Sequence, residues 1–254
     1  MAGARRPARV LSFQYSKVML RAPVTLLILH IPKTGGISLR KLVASFHSDV
    51  KFVYNGQLRL TNPDLDYIKN FREAPKPQVV MGHFGYGVHR LLGIAPAYAT
   101  VLREPVARLV SYYRMEKYSS ESIFRDYLDT GMSLAEFVGE QITDITNNYM
   151  CRVIAGVPAE AGMVINERWL LDLAIHNLRR HYALVGTLER YPAFITALAR
   201  RLGWGAFEIP TENVASGPAI DLDSKTRDLI IEMNSLDIAL FDYVKQTYRW
   251  PIAN

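Results

Sequence analysis

The sequence predicts an α/β fold, a three-layer sandwich with helices on both sides of a mostly parallel central sheet. Three observations predict it. Short apolar runs without alternation recur, at Val24–Ile31 and Ala97–Leu102 above all, as strands buried on both faces read. The segments between them carry apolar residues at helical spacing. Strands and helices alternate along the chain rather than grouping, which calls for parallel crossovers. The 254 residues are enough for one such domain with a substantial core. No internal repeat, low-complexity tract or linker divides them. Residues 1–254 are therefore expected to form a single domain, with 1–22 an irregular N-terminal segment.

The strand Val24–Ile31 is followed by a turn, Pro32 to Gly36, and then by Leu39, Leu42, Val43 and Phe46 at helical spacing, so a helix begins near Ile37. Val50–Tyr54 reads as a short strand. Asn62-Pro63-Asp64 opens a helix striped by Leu65, Ile68 and Phe71, and Pro75 and Pro77 stop it. Gln78–Met81 is a strand running into Gly82-His83-Phe84-Gly85-Tyr86-Gly87, a glycine-rich, tight, exposed loop. Ala97–Leu102 ends at Arg103-Glu104-Pro105. Pro105 suits the first helical position, and Val106, Leu109, Val110 and Tyr113 give that helix its buried face. Residues 118–131 read as a short helix and loops. Ser133 with Glu136 is a capping box before Leu134, Phe137, Val138 and Ile142. Helices are expected over Thr146–Ala155, closed by Gly156, over Trp169–Leu178, and over Tyr191–Leu202, closed by Gly203. Ala183–Leu188 is a fourth strong strand and 205–222 is loop. From Asp223 to Tyr248 one long amphipathic helix is expected on Leu229, Ile230, Met233, Leu236, Leu240 and Val244.

The net charge is +6, and no Asp or Glu occurs before Asp49, whereas Arg5, Arg6, Arg9, Lys17, Arg21, Lys33, Arg40 and Lys41 all do. That field suits a polyanion or a nucleotide with several phosphates. Nucleic acid is not expected as a partner, because no basic-aromatic module accompanies the charge. One cysteine, Cys151, excludes an internal disulfide framework and suits a reducing compartment, so a cytoplasmic location is expected. Cys151 itself reads as a small core residue. No apolar run reaches the length of a membrane span. The Arg-rich, acid-free first twenty residues share a bias with transit peptides but lack a secretory signature; a solvated terminus is the expectation.

A strand, a glycine turn and a helix N-terminus make an anion cradle, because free N–H groups and the helix dipole favour negative charge there. Here the cradle is Lys33, Thr34, Gly35, Gly36, Ile37 and Ser38. It is not a Walker A loop, since Lys33 precedes the glycines instead of following them, and it is not G-x-G-x-x-G. Thr34 and Ser38 offer hydroxyls, and Lys33 a mobile point charge for a leaving oxygen. Arg103 ends a strand, and Ser111 lies two turns into the next helix; a guanidinium fork and a hydroxyl can hold a second phosphate. Arg108 is expected on a solvated face. Lys33, His83 and Arg103 all sit just beyond strands, where parallel sheets bind ligands. No cluster has metal-ligand spacing, and no metal is expected.

Together these segments resemble the sulfotransferases that use 3′-phosphoadenosine 5′-phosphosulfate (PAPS). His30-Ile31-Pro32-Lys33-Thr34-Gly35-Gly36-Ile37-Ser38 is similar to the family's 5′-phosphosulfate loop, and Arg103 with Ser111-Tyr112-Tyr113 to its 3′-phosphate segment. Gly82-His83-Phe84 is similar to a strand-end motif of the carbohydrate branch that includes heparan sulfate 2-O-sulfotransferases and bacterial relatives. Weaker similarities are Asn148 to Arg152 before Gly156, Val185 to Arg190, and Asp237 to Tyr243. Ile37 departs from the pattern, which often has a small hydroxyl residue there. The resemblance covers roughly residues 24–248. It implies a P-loop-like core and in-line transfer of a sulfuryl group from PAPS to a hydroxyl, with adenosine 3′,5′-bisphosphate (PAP) as product. Lys33 would stabilise the leaving phosphate and His83 would act as base. His89 and His30 compete weakly for that role: His30 is expected buried and hydrogen-bonded, and His89 is a candidate for shaping the acceptor pocket. The acceptor is expected to be a glycan, an anionic one included, with 55–62, 84–96 and 114–131 as its loops. An ATP-dependent small-molecule or sugar kinase is the alternative, and a non-catalytic nucleotide or polyanion binder a third reading.

Overall fold

The computed structural model describes residues 24–158, 168–210 and 217–248. The expected irregular segment 1–22 lies outside the described residues. Five parallel strands form one sheet: β1 (Leu26–Leu29), β2 (Lys51–Val53), β3 (Val79–Gly82), β4 (Tyr98–Leu102) and β5 (Tyr182–Thr187), in the order β2-β3-β1-β4-β5. β1 is central, and the chain goes to one side of it for β2 and β3 and to the other for β4 and β5. That reversal opens a crevice at the carboxyl ends of the strands.

Strand alternation builds the layers. Leu26 and Ile28 of β1 point to one face, where they pack with Leu39, Leu42 and Val43 of α1 (Gly36–Phe46) and Phe194, Ile195 and Leu198 of α9 (Tyr191–Leu202). Leu27 and Leu29 point to the other, against a cluster that includes Met150 and Ile154 of α7 (Tyr149–Ala155), Leu170, Leu171 and Ala174 of α8 (Arg168–His181), and Leu240 and Val244 of α11 (Ser235–Thr247). A third cluster, away from the sheet, joins α4 (Pro105–Tyr118), α5 (Arg125–Leu128), α6 (Leu134–Gly139) and α10 (Ser224–Met233). Local signals act as expected at two helix starts. Glu104 accepts N–H bonds from Val106 and Ala107 ahead of Pro105, and the Ser133–Glu136 capping box forms. α2 (Leu65–Glu73) starts at its Asp64 cap, but Leu65 is 73% exposed and contributes nothing to the buried stripe of Ile68 and Phe71. A short helix, α3 (Val88–Leu92), occupies part of a region expected as loop. Among the described residues no helix is long and apolar enough to cross a membrane.

Two expectations fail for one reason. The long C-terminal helix is broken at Asn234, and Arg108 is not solvated but fully buried. Both residues serve a buried polar clasp. Asp237, also fully buried, accepts the N–H groups of Met150 and Cys151 at 3.0 and 2.7 Å and so caps α7. Asn148, in the left-handed region at φ 45°, returns the favour: its Oδ1 accepts the N–H groups of Leu236 and Asp237 at the start of α11. Asn234 leaves helical geometry so that its Oδ1 accepts the Asn148 N–H at 3.1 Å and its Nδ2 donates to the carbonyls of Thr146 and Ile230. Arg108 closes the clasp, 3.8 Å from Asp237 and donating to the Ile145 carbonyl at 2.9 Å.

A buried ion pair contributes little net stability by itself, but removing one member strands the other and two capped amides. Asp237→Ala should therefore lower unfolding stability by about 3–5 kcal/mol, read as a shift of the urea midpoint. A loss below about 1 kcal/mol, the level of an ordinary exposed hydrogen bond, would contradict the clasp.

Candidate active site

The ends of β3, β1 and β4 lie side by side, with Leu29 opposite both Gly82 and Thr100. The loop after β1 turns sharply through two left-handed residues, Lys33 at φ 70° and Gly35 at φ 86°. Gly36 leaves room for a neighbouring ring: a Cβ there would sit 1.7 Å from Nε2 of His30, so the imidazole would have to move. α1 has no side-chain cap and no acidic residue in its first turn, so the N–H groups of Gly36, Ile37 and Ser38 have no intrahelical acceptor. The loop's carbonyls are taken from outside. Arg103 Nη1 donates to the Lys33 carbonyl at 3.1 Å, and the Tyr191 hydroxyl donates to the Gly35 carbonyl at 2.8 Å. Amides free and carbonyls occupied is the polarity an anion requires. Thr34 does not serve as expected: its hydroxyl is buried and donates to the Ile31 carbonyl at 2.7 Å, so its proton is spent inside the turn. The Ile37 side chain is exposed and leaves only its amide to the cradle. Ser38 is buried, and its hydroxyl has no hydrogen-bond partner among the described residues.

Lys33 is half-buried, and its ammonium makes no hydrogen bond or ion pair among the described residues. Burial holds its pKa below the usual lysine value, Arg103 and Arg114 add to the depression, and Glu116 opposes it. Arg103 is depressed by burial too, against the attraction of Glu189 and Glu104. The structure thus brings Lys33 and Arg103 together. Ser111 sits half-buried in α4, and no hydrogen bond joins it to either of them. Arg114, one turn beyond Ser111 on the same side of α4, was not singled out by the sequence; its spacing from Ser111 is the signal that could have found it. Its guanidinium donates to the Gly217 carbonyl. Tyr191 was missed as well, because nothing local links it to a loop 156 positions away.

His83 leaves β3 with its amide bonded to the Val53 carbonyl at 2.9 Å. Its ring lies 4.8 Å from that of His30 and 4.7 Å, edge-on, from that of Tyr54. Its Nε2 is buried without a hydrogen-bond partner among the described residues. Burial pulls the His83 pKa down to about 4, so the imidazole is neutral near pH 7 and can accept a proton. His30 falls further, to about 3, through burial and the neighbouring His83 and Lys33; its Nδ1 lacks the hydrogen bond expected of it. His89 is placed elsewhere. Its Nδ1 is 2.8 Å from the Tyr98 hydroxyl, on the first residue of β4, and it does not line the cavity beside His83. That cavity measures about 640 Å³. Its walls come from all three expected loops, at residues 56–61, 84–85 and 123–124, and also from residues 142–145 and 149–158, which were not expected.

No family model matches the chain. Curated relatives do. Heparan sulfate 2-O-sulfotransferase 1 of Homo sapiens is 26% identical over 189 residues, 68% of this chain and 53% of that one. The Xenopus laevis protein of the same name is 28% identical over 183 residues, 69% and 46%. The heparin sulfate O-sulfotransferase of Drosophila melanogaster is 27% identical over 189 residues, 68% and 54%. The chain spans about half the length of the curated relatives it matches. Among solved structures, mouse sulfotransferase SULT7A1 complexed with PAP aligns with a TM-score of 0.44 at 11% identity, over 86% of this chain and 66% of that one, a likeness too loose to carry an argument.

The depressed histidines have a consequence for acid stability. Between the ordinary value of 6.5 and about 4, the unfolded chain takes up a proton at residue 83 that the folded chain refuses, so this contribution to stability is lost as pH falls through that window. The raised carboxyls of Asp144 and Asp237 act in the opposite sense. The test is therefore a difference: His83→Gln should flatten the fall in Tm between pH 6.5 and 4.5 relative to the parent chain. A steeper fall in the variant would contradict a neutral, buried His83.

Proposed function

Since the chain is a relative of the sulfotransferases, on the side of the heparan sulfate 2-O-sulfotransferases, we propose that it works as a single-domain, PAPS-dependent O-sulfotransferase acting on a carbohydrate hydroxyl. One observation carries the reading. A half-buried Lys33, without a hydrogen-bond or ion-pair partner among the described residues, stands beside an uncapped helix N-terminus, and beyond the neighbouring strand end a neutral His83 lines a cavity with its Nε2 unpartnered among those residues.

The residues fit a doubly anionic nucleotide. The amides of Gly36, Ile37 and Ser38, the Ser38 hydroxyl and Lys33 suit a 5′-phosphosulfate; Gly35 and the Thr34 backbone shape the turn that presents them. Arg103 and Ser111 suit a 3′-phosphate. Burying cations beside one another raises their free energy, and an anion that enters relieves it. The donor supplies an activated sulfuryl group whose departure leaves charge on a phosphate oxygen. Lys33 and the loop amides are fixed before that charge develops, so they stabilise it with little reorganisation. His83 removes the proton of the acceptor hydroxyl, and its neutral form is the one burial favours. Cys151, a buried thiol whose pKa burial raises, suits a reducing, cytoplasmic setting.

The reading predicts that PAP binds in calorimetry and that His83→Ala lowers kcat about 10²–10⁴-fold while PAP affinity is kept. Lys33→Ala should lower PAP affinity and kcat together. Arg103→Ala should weaken PAP more than adenosine 5′-monophosphate, because only PAP has the 3′-phosphate. Equal loss of turnover and nucleotide binding in His83→Ala would make His83 structural. Magnesium-dependent ATP consumption without sulfate transfer would replace the proposal by a kinase. The acid limb of kcat/KM should lie below the ordinary imidazole value of 6.5, since the free enzyme's His83 titrates near 4.

A further inference from the structure

Tyr54 directly follows the last residue of β2 and stands next to the proposed base. The His83 amide donates to the Val53 carbonyl at 2.9 Å, so the peptide that leads into Tyr54 is tied to the residue that carries the imidazole. Glycine at 82 permits this approach: a Cβ there would lie 1.8 Å from the Val53 carbonyl oxygen. The phenol ring stands edge-on to His83 at 4.7 Å and to His30 at 5.7 Å, and it lines the cavity beside His83. Its hydroxyl is buried with no hydrogen-bond partner among the described residues, and so are His83 Nε2 and His30 Nδ1. Buried polar groups are ordinarily paired, and one left open costs free energy that an arriving partner recovers. Three adjoining rings with open polar atoms therefore mark a place for a polar ligand group. Burial pushes the Tyr54 pKa up to about 12, with Arg40 pulling the other way, so the phenol keeps its proton near neutral pH. The Arg40 guanidinium lies 5.3 Å from the centre of that ring and 5.0 Å from that of Phe52, and a cation on a ring face strengthens the O–H as a donor. The two groups are complementary: Tyr54 can give a hydrogen bond, and neutral His83 can take a proton.

We propose that Tyr54 is a second catalytic contact to the acceptor: its hydroxyl donates a hydrogen bond to the oxygen that attacks the sulfuryl group, while His83 takes that oxygen's proton. The inference rests on the sulfotransferase reading and adds a residue to it. An alcohol oxygen has one proton and two lone pairs. With the proton on His83 and one lone pair on Tyr54, the other lone pair is left for sulfur, so two side chains fix the direction of attack. The bond from the acceptor oxygen to sulfur forms, and the bond from sulfur to the nucleotide's phosphate oxygen breaks, its electron pair staying on that oxygen. The acceptor proton moves to His83, and Tyr54 keeps its own. As the acceptor O–H bond breaks, negative charge grows on its oxygen and the bond from Tyr54 strengthens with it.

The test uses the full chain with labelled PAPS and two acceptor panels, uronate-containing oligosaccharides and neutral alkyl glycosides, together with PAP calorimetry. Tyr54→Phe keeps the ring edge against His83 and removes only the hydroxyl. It should lower kcat about 10–10²-fold, change the acceptor KM much less, and leave PAP affinity and the acid limb of kcat/KM as they are in the parent. Replacing Tyr54 by 3,5-difluorotyrosine, a much more acidic phenol of nearly the same shape, should bring the alkaline fall of kcat to lower pH, because the donor proton is lost sooner. A packing role would leave that limb unmoved. If Tyr54→Phe fails to fold, seen as a lost thermal transition, the fluorinated chain decides. A parental kcat in Tyr54→Phe, or an alkaline limb that ignores fluorination, overturns the inference. An equal fall of kcat and PAP affinity in a folded Tyr54→Phe overturns it too, since the ring is then a support. A parent chain that transfers no sulfate to either panel overturns the reading beneath it instead.

Discussion

An anion cradle at a strand end depends on where its carbonyls go. The loop after β1 exposes amides only because Arg103 and Tyr191, from beyond β4 and from the start of α9, take the carbonyls of Lys33 and Gly35. Without those donors the lone pairs would remain beside the amides and oppose any anion held there. The same two bonds fix the loop to the end of β4 and the start of α9, while His30 packs over Gly36 and against His83 on the side of β3. The turn is thus held from both sides, which is what lets Lys33 keep a left-handed backbone that a non-glycine residue adopts rarely.

The clasp around Asp237 plays the corresponding part for the cavity. It joins two helix starts, α7 and α11, by giving each a cap from the other. Helix ends buried without such partners would leave amides unsatisfied. The segment so held, residues 144–152, is the wall that carries Asp144, Tyr149 and Arg152. A polar network with no access to solvent therefore positions groups that a ligand would meet. Its cost in desolvation is offset in part by the paired amides and carboxylate, although Nε and Nη1 of Arg108 stay buried without a hydrogen-bond partner among the described residues.

Electrostatics sets the two halves of the crevice apart. On the loop side burial, Arg103 and Arg114 depress the Lys33 ammonium against the pull of Glu116, and burial depresses Arg103 against Glu189 and Glu104. On the cavity side burial leaves His83 neutral and raises the Asp144 carboxyl against the pull of Thr143, Arg152, Arg59 and the Ile145 amide. On the reading proposed above, the first half would hold the donor and the second the acceptor hydroxyl.

The sequence by itself determined the sheet, the order of its helices and the residues of the loop. Buried strands, a glycine turn, Pro105 at N1 and a capping box are local signals, and each depends on near neighbours in the chain. Lys33, His83 and Arg103 could be placed at one crevice because strand ends in a parallel sheet fall on one edge. Tertiary structure decided what depends on partners far away. Arg108 reads as a surface residue until Asp237, on α11, meets it in the core. Asn234 reads as helix interior until Asn148 claims its side chain. Thr34 is the local exception: the turn itself brings the Ile31 carbonyl, three residues back, within 2.7 Å of its hydroxyl. Periodicity records which face of an element is apolar; it holds no record of which polar group, eighty or more positions away, waits on the other side of that face.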